Sequence, residues 1–295
     1  MLYSIIDIGS NTVKISVLDD TRLFSSAPTY FKAVPLNLRS KVENNCLRED
    51  ALEALCALLQ DFLRISENYT SLPPIVFATA SLRGLKNTDA ALDTIKKRTG
   101  IDVDLISGET EAYYSFLGAK GSTRAKEGIT VDLGGGSTEI LTFRNNRVCQ
   151  AVSLPFGCLT LYHLFFENGT NRYEDCCAYV RKHLKTSAPA SLGKLLLLSG
   201  GSAKAMLKYK NIMEDKKSIT VGIRQMKRIL RHYNNPGSEK RDKIEQVLRD
   251  RFRLIPPALS VFHEITLHYQ RDQAVISRSG VREGCLFSLL QAQKK

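Results

Sequence analysis

The sequence lacks the features that mark membrane and secreted proteins. No apolar run approaches the ~20 residues that a membrane-spanning helix needs, and no basic segment precedes the apolar start at Met1–Ser10, so we expect neither a membrane span nor a signal peptide. The seven cysteines include no Cys-x-x-Cys pair. An odd number of cysteines without an export signal is typical of buried thiols in a reducing compartment. We therefore expect a cytoplasmic protein.

Two common catalytic motifs are also absent. No Gly-x-x-x-x-Gly-Lys-[Ser/Thr] loop occurs, which argues against a P-loop enzyme. No Gly-x-Ser-x-Gly elbow occurs, which argues against an α/β-hydrolase. The five histidines lie outside every motif described below, so we do not expect them to be metal ligands.

The composition is that of an ordinary globular protein. The chain has 295 residues, of which 43% are hydrophobic and 24% are charged, and this length suggests about two domains. Strand patterns alternate with helix patterns along the chain, which indicates the α/β class. The small and charged residues of Lys120–Glu127 are the expected linker. We therefore predict one domain over residues 1–122 and a second, with a basic helical insertion, over residues 123–295.

The positive charge is concentrated in the second half of the chain. Residues 1–122 have a net charge of −2, whereas residues 123–295 have a net charge of +14. The segment Lys204–Arg253 alone contains 15 basic and 6 acidic residues. Such asymmetry indicates a polyanionic partner, although a basic face that only keeps the protein soluble would give the same pattern.

A short motif occurs twice, about 125 residues apart. Ile5–Thr12 and Thr130–Thr138 both consist of an apolar strand ending in Asp, a turn rich in Gly and Ser, and the start of another strand. Glycine lets the backbone approach a ligand closely, and successive free N–H groups in a turn bind anions. The Asp can hold a divalent cation or cap its own turn. A phosphate-binding hairpin is therefore predicted in each domain.

Seven motifs in this order resemble the exopolyphosphatase/guanosine pentaphosphate phosphohydrolase (Ppx/GppA) family. They are Ile6–Thr12, Ala78–Arg83, Ile106–Ala112, Val131–Glu139, Pro155–Gly157, Ser199–Ser202 and Arg282–Gly284. The resemblance implies two ribonuclease-H-like domains of the actin-like ATPase superfamily flanking a central cleft, in a short form without the helical domain that many members carry. It also implies a divalent metal, Mg²⁺ or Mn²⁺, and a homodimer. No specific nucleic acid is expected as a partner.

The resemblance and the chemistry of phosphoanhydride hydrolysis together assign roles to the motif residues. Glu111 is predicted to position the attacking water, with Glu109 as the alternative, and Arg83 to bind a phosphate. Asp132 is the predicted metal ligand, with Asp7 assisting. The predicted substrate-binding residues are Ser10, Asn11, Thr12, Gly135, Gly136, Ser137, Thr138, Gly200, Gly201 and Ser202.

The chain departs from the family pattern at three places. The family often has two adjacent acidic residues where this chain reads Glu109-Thr110-Glu111. It often has Arg-Ala-Asp where this chain reads Arg251-Phe252-Arg253, and a nearby Gly where this chain has Ala258. The last two departures both lie in the predicted second domain.

Four functions are compatible with the sequence. The first is a magnesium-dependent exopolyphosphatase that releases terminal phosphate from inorganic polyphosphate, which the basic second half favours. The second is a guanosine pentaphosphate phosphohydrolase. The third is an actin-like kinase that uses ATP, against which the phosphatase-specific motif Ile106–Ala112 argues. The fourth is a non-catalytic module that binds polyphosphate or a guanosine alarmone.

Overall fold

The computed structural model describes residues 1–25, 27–121, 123–145, 147–167 and 172–293. The chain divides into two compact units. The first consists of Met1–Gly121 together with Val281–Lys295, and the second of Ser122–Gly280. The division near residue 121 lies within the predicted linker. The predicted second domain extended too far, because the segment from Val281 onward belongs to the first unit.

The first unit contains a five-stranded sheet in the order β3-β2-β1-β6-β7. Its strands are β1 (Leu2–Ile8), β2 (Thr12–Asp19), β3 (Tyr30–Pro35), β6 (Ile75–Ala78) and β7 (Asp104–Leu105), and a separate small sheet contains β4 (Val42–Glu43) and β5 (Cys46–Leu47). Its helices are α1 (Glu49–Glu67), α2 (Thr88–Thr99), α3 (Gly108–Lys120) and α10 (Val281–Ala292).

Helices cover both faces of the first sheet. Successive strand residues point to opposite faces, so Ile6 packs in a cluster with Leu55 and Phe62 of α1, whereas Ile5 packs in a second cluster with Leu286 of α10. The contact between α10 and α3 is unusually close, because a Cβ at Gly284 would overlap the backbone of α3 at Tyr114. This close packing explains why the last helix belongs to the first unit.

The second unit contains a six-stranded sheet in the order β10-β9-β8-β11-β13-β12. Its strands are β8 (Glu127–Leu133), β9 (Thr138–Arg144), β10 (Arg147–Leu154), β11 (Leu195–Ser199), β12 (Thr220–Gly222) and β13 (Gln273–Ile276). Its helices are α4 (Cys158–Phe165), α5 (Tyr173–Ser187), α6 (Gly200–Glu214), α7 (Ile223–Tyr233), α8 (Glu239–Leu248) and α9 (Ile255–His268). They enclose a single large hydrophobic core.

The two sheets share one topology. In each, three consecutive strands form an antiparallel meander. A later strand then pairs parallel to the first strand of the meander, and a further strand pairs parallel to that one. The second sheet adds β12 as an antiparallel edge strand. The duplicated arrangement confirms the predicted α/β class. It also brings the carboxyl ends of parallel strands to one edge of each sheet, where ligands bind in α/β folds.

Among the residues that the structure describes, no helix combines the length and the apolar character that crossing a membrane requires.

Candidate active site

The carboxyl ends of β1 and β6 are joined by hydrogen bonds in the first unit. Asp7, the penultimate residue of β1, is the register partner of Phe77 in the neighbouring parallel strand β6. Beyond the end of β6, the Ser81 hydroxyl donates a hydrogen bond of 2.5 Å to the backbone carbonyl of Ile8. This bond holds the segment that carries Arg83 against the end of β1.

Arg83 and Glu111 form an ion pair at this edge. Arg83 Nη2 donates to Glu111 Oε2 over 2.7 Å, and Glu111 is only 7% exposed. Glu111 lies in the first turn of α3, whose amino end is capped by Ser107, since the Ser107 hydroxyl accepts a hydrogen bond of 3.1 Å from Thr110 N. The structure therefore brings together the two residues predicted to be catalytic.

Two features distinguish the groups around this ion pair. Arg83 Nε is buried and has no hydrogen-bond partner within the described part of the chain, whereas the Arg83 side chain as a whole is 27% exposed and can meet an anion there. Glu109, the alternative to Glu111, is exposed, and hydrogen bonds from its own backbone N–H and from Ser107 lower its pKa. Of the two glutamates, Glu111 has the environment of a positioned catalytic group.

The predicted turn at Ser10–Thr12 is fixed by the segment that follows β3. The carbonyl oxygen of Asn11 accepts hydrogen bonds from Leu36 N at 3.1 Å and Asn37 N at 3.0 Å, and that of Ser10 accepts one from Arg39 N at 3.1 Å. Ser10 and Thr12 are buried, and Asn11 is half-buried. The turn thus has the fixed backbone that phosphate binding by N–H groups requires.

Asp7 has a cationic partner of its own within the first unit. Lys14 Nζ donates to Asp7 Oδ2 over 2.9 Å, and these residues face each other across the hairpin of β1 and β2. The lysine supplies the positive charge that the sequence analysis assigned to a metal at Asp7. The structure therefore gives no support to the predicted assisting role of Asp7 in metal binding.

The equivalent hairpin of the second unit joins two carboxylates. Asp132, the penultimate residue of β8, is the cross-strand partner of Glu139 in β9, and directly opposed side chains in an antiparallel pair lie on the same face. Both residues are buried. Glu139 also accepts a hydrogen bond of 2.8 Å from the Ser153 hydroxyl. Oxygen ligands of this kind are the ones that Mg²⁺ prefers.

The glycine turn of this hairpin is held by the amino end of α4. The carbonyl oxygen of Gly134 accepts a hydrogen bond from Cys158 N at 2.9 Å, and that of Gly135 accepts one from Leu159 N, also at 2.9 Å. A Cβ at Gly157 would overlap Gly135, so only glycine permits this approach. Gly135 and Gly136 are half-buried and Ser137 is buried, and all three lie in the turn where the sequence analysis placed a phosphate.

Thr138 differs from the other residues of this predicted set. Its side chain is fully buried, and its hydroxyl donates a hydrogen bond of 2.6 Å to the carbonyl oxygen of Phe156. The hydroxyl hydrogen is therefore used within the second unit. Thr138 supports the turn, and its predicted contact with substrate is corrected accordingly.

The start of α6 lies against the same strand end. Gly200 has a left-handed backbone, with φ of +86°, and a Cβ there would overlap Asp132 Oδ1. Asp132 also lies level with Ser199 of β11. Ser202 is buried, and its hydroxyl oxygen accepts a hydrogen bond from Cys158 Sγ over 3.2 Å. The predicted residues Gly200–Ser202 thus lie next to Asp132. They form the amino end of a 15-residue helix, where anions bind well.

Two residues near this edge were not assigned roles from the sequence. Glu139 lay within the recognised motif Val131–Glu139, but its pairing with Asp132 depends on strand register. Arg251 lies in the 3₁₀ turn Arg249–Leu254, and a Cβ at Gly201 would overlap its guanidinium group. The unusual Arg251-Phe252-Arg253 sequence was the available signal for this arginine.

Asp132 and Glu139 suit a divalent metal such as Mg²⁺ better than a second group of possible ligands does. A separate cluster in the second unit contains Cys177, His263 and Glu264. There the Glu264 carboxylate already accepts two hydrogen bonds from Arg181, of 2.8 and 3.1 Å, and a thiol and an imidazole are poor ligands for Mg²⁺. The donor set at Asp132 and Glu139 is the one that matches the predicted metal.

Comparison with known proteins identifies the family. The family model described as the Ppx/GppA phosphatase family matches residues 32–293. An uncharacterised protein of Streptomyces coelicolor is 32% identical over 172 residues, which cover 57% of this chain and 51% of that protein. Exopolyphosphatase 1 of Mycobacterium tuberculosis is 26% identical over 160 residues, which cover 53% of this chain and 46% of that protein. The chain thus spans about half the length of these curated relatives.

A solved structure has the same fold over the whole chain. The Ppx/GppA family member from Aquifex aeolicus superimposes with a TM-score of 0.82 at 23% identity, covering 100% of this chain and 99% of that one. This similarity confirms the predicted α/β fold.

Proposed function

Because this chain belongs to the Ppx/GppA phosphatase family, we propose that it is an exopolyphosphatase, which releases terminal orthophosphate from inorganic polyphosphate. The observation that carries the proposal is the buried Glu111 held by Arg83 over 2.7 Å. Hydrolysis of a phosphoanhydride needs an oriented water and positive charge at the phosphoryl group. A carboxylate beside a guanidinium can supply both.

In the proposed reaction, Glu111 accepts a hydrogen bond from the attacking water and takes up its proton as the water oxygen bonds to the terminal phosphorus. The bond from that phosphorus to the bridging oxygen breaks, and its electron pair remains on the shortened polyphosphate. Arg83, whose side chain is 27% exposed, binds an oxygen of the transferring phosphoryl group. These roles require no covalent enzyme intermediate.

The glycine turns and the start of α6 are proposed to bind phosphate oxygens. The backbone at Gly135 and Gly136, the hydroxyls of Ser137 and Ser202, and the turn at Ser10–Thr12 would act as donors. Asp132 and Glu139 would hold Mg²⁺. When bound, this ion supplies positive charge that stabilises the negative phosphate oxygens.

The choice of polyphosphate over guanosine pentaphosphate is based on charge. The net charge of +14 in residues 123–295 favours a long polyanion over a single nucleotide. The M. tuberculosis relative named an exopolyphosphatase supports the same choice.

The test is the release of phosphate by the purified protein with Mg²⁺, from long-chain polyphosphate and from guanosine pentaphosphate. We expect a larger kcat/KM for the polymer. A larger kcat/KM for guanosine pentaphosphate would replace the proposal with the nucleotide phosphatase. Tight binding of polyphosphate without any phosphate release would replace it with a binding module.

A further inference from the structure

Helix α7 carries a row of positive charge on one face. Arg224, Lys227, Arg228 and Arg231 are spaced at i, i+3, i+4 and i+7, so they lie on one side of the helix, and all four are exposed. The opposite side contains Met226 and Ile229, which are buried in the core. We call these four residues the basic stripe.

Most of the charge in the basic stripe is not neutralised by neighbouring acids. Arg228 donates to Glu214 over 3.3 Å. For Arg224, Lys227 and Arg231, the described residues provide no ion pair within 4.0 Å. Helix α7 itself contains no acidic residue.

The neighbouring basic helix is different. In α8, Lys240 pairs with Asp215, and Arg241 pairs with Asp242 at 3.4 Å and Glu245 at 3.1 Å. Two of the three basic residues of α8 are thus in ion pairs, whereas three of the four in the basic stripe have none among the described residues. Of these two helices, α7 has the larger unpaired positive charge that attracts a polyanion.

We infer that the basic stripe is a docking surface for a phosphate polymer, and this identification of the ligand rests on the proposed function. Arg224 and Arg231 are about 10 Å apart along the helix axis, given a rise of 1.5 Å per residue. A linear polyphosphate carries charge along its whole length, so one chain contacts several of these side chains together. Each exposed contact is weak and screened by salt, and their sum makes binding favour longer polymers.

The surroundings of the basic stripe favour polyphosphate over single-stranded nucleic acid. Surfaces that bind single strands combine positive charge with aromatic side chains on which bases stack. Both ring side chains of α7 are used in packing: Tyr233 stacks on the buried Phe252 with ring centroids 4.7 Å apart, and His232 Nδ1 lies 2.9 Å from the Tyr209 hydroxyl. They therefore belong to the packed side of the helix, and the stripe itself consists only of arginine and lysine.

The test compares two triple variants that each remove three positive charges from the second unit. One is Arg224→Ala, Lys227→Ala, Arg231→Ala. The control is Arg147→Ala, Lys182→Ala, Lys185→Ala, three exposed residues on β10 and on α5, which contacts β10. Strands β10 and β12 are opposite edges of the sheet, and α7 contacts β12, so the control lies at the far edge.

Binding of end-labelled long-chain polyphosphate is measured by fluorescence anisotropy in EDTA, at several salt concentrations and without turnover. We expect the stripe variant to bind about tenfold more weakly than the wild type at low salt. The slope of its log Kd against log salt concentration should be smaller by about 2, because three phosphate contacts are lost. The control variant should bind within about twofold of the wild type. Circular dichroism confirms that both variants are folded.

Each other outcome overturns the inference. Equal weakening in both variants would mean that only net charge matters. The same assay is also run with a labelled uridine-rich RNA. If the stripe variant lost affinity for this RNA while its affinity for polyphosphate was unchanged, the stripe would be an RNA-binding surface. Because no turnover is needed, a wild-type protein that releases no phosphate would refute the proposed hydrolysis while the binding difference still tests the stripe.

Discussion

Asp132 and Glu139 are direct cross-strand partners in the hairpin of β8 and β9, at the position where the first unit pairs Asp7 with Lys14. The two hairpins share a backbone plan and differ in charge. In the first unit, the Asp7 carboxylate is neutralised by an ammonium group at 2.9 Å. In the second, two buried carboxylate side chains, Asp132 and Glu139, lie on one face. Their oxygens are ligands of the kind that Mg²⁺ prefers, whereas the first hairpin has an ammonium group at this position.

Substitution of either member of the acidic pair is expected to weaken metal binding. We predict that Asp132→Asn and Glu139→Gln each raise the Mg²⁺ concentration needed for half-maximal phosphate release by at least about tenfold, because each removes a charged oxygen ligand. A Mg²⁺ titration of the activity measures this. Asp7→Asn is the matched control, and a shift as large as that of Glu139→Gln would contradict the division of roles between the hairpins.

The catalytic prediction concerns two glutamates in the first turn of α3. We expect Glu111→Gln to lower kcat by about 10²-fold or more, because the amide cannot take a proton from the attacking water. Phosphate release from long-chain polyphosphate measures the loss. Glu109→Gln, two residues earlier, removes the same charge from the exposed side of the turn. The kcat of this variant should remain close to that of the wild type. Reversal of the two results would move the catalytic role to Glu109.

The close contact of α3 and α10 gives a prediction about stability. Gly284→Ala should lower the free energy of unfolding by about 1–3 kcal/mol, because a Cβ there overlaps the Tyr114 backbone, which has no freedom to move aside within its helix. The better helix propensity of alanine, about 1 kcal/mol, offsets only part of this cost. Urea denaturation measures the change.

A nearby glycine provides the control for this variant. A Cβ at Gly280 would meet nothing within 4 Å, so Gly280→Ala is expected to change the free energy of unfolding by less than about 0.5 kcal/mol. Equal urea midpoints for the two variants would show that α10 can shift away from α3 without cost.

The reactivity of Cys158 follows from its burial. Burial raises the pKa of this thiol to about 12, although the hydrogen bond to Ser202 acts in the opposite direction. At pH 8 the reactive thiolate is thus on the order of 10⁻⁴ of the total. We expect a thiol reagent to label the exposed Cys149 within minutes and Cys158 only after unfolding. Mass spectrometry of labelled peptides measures both rates, and rapid labelling of Cys158 at pH 8 would mean that the amino end of α4 opens.

The parts of the fold that the sequence predicted well have local signals. Both hairpins were located because alternating apolar residues lead into a turn marked by Asp and Gly. Helix α9, by contrast, has no such local signal. Its residues from Ile255 to Val261 are all buried, so it has little polar face and gives no helical period.

The candidate site shows the same division between local and distant information. Glu111 and Arg83 were identified because each lies in a recognisable motif, but their ion pair joins residues 28 apart in the sequence. Glu139 and Arg251 were missed, because one depends on strand register and the other on where a 3₁₀ turn meets α6. Thr138 was misassigned, because only the structure shows its hydrogen bond to Phe156.

The placement of α10 bears on the order in which the protein is assembled as it is synthesised. The second unit is one continuous stretch of chain, whereas the first unit needs residues from both sides of it. A ribosome therefore completes the second unit while the α3 side of the first sheet, at Ile5 and Phe77, still awaits α10. Since domains generally fold as units during synthesis, the first unit to begin is the last to close.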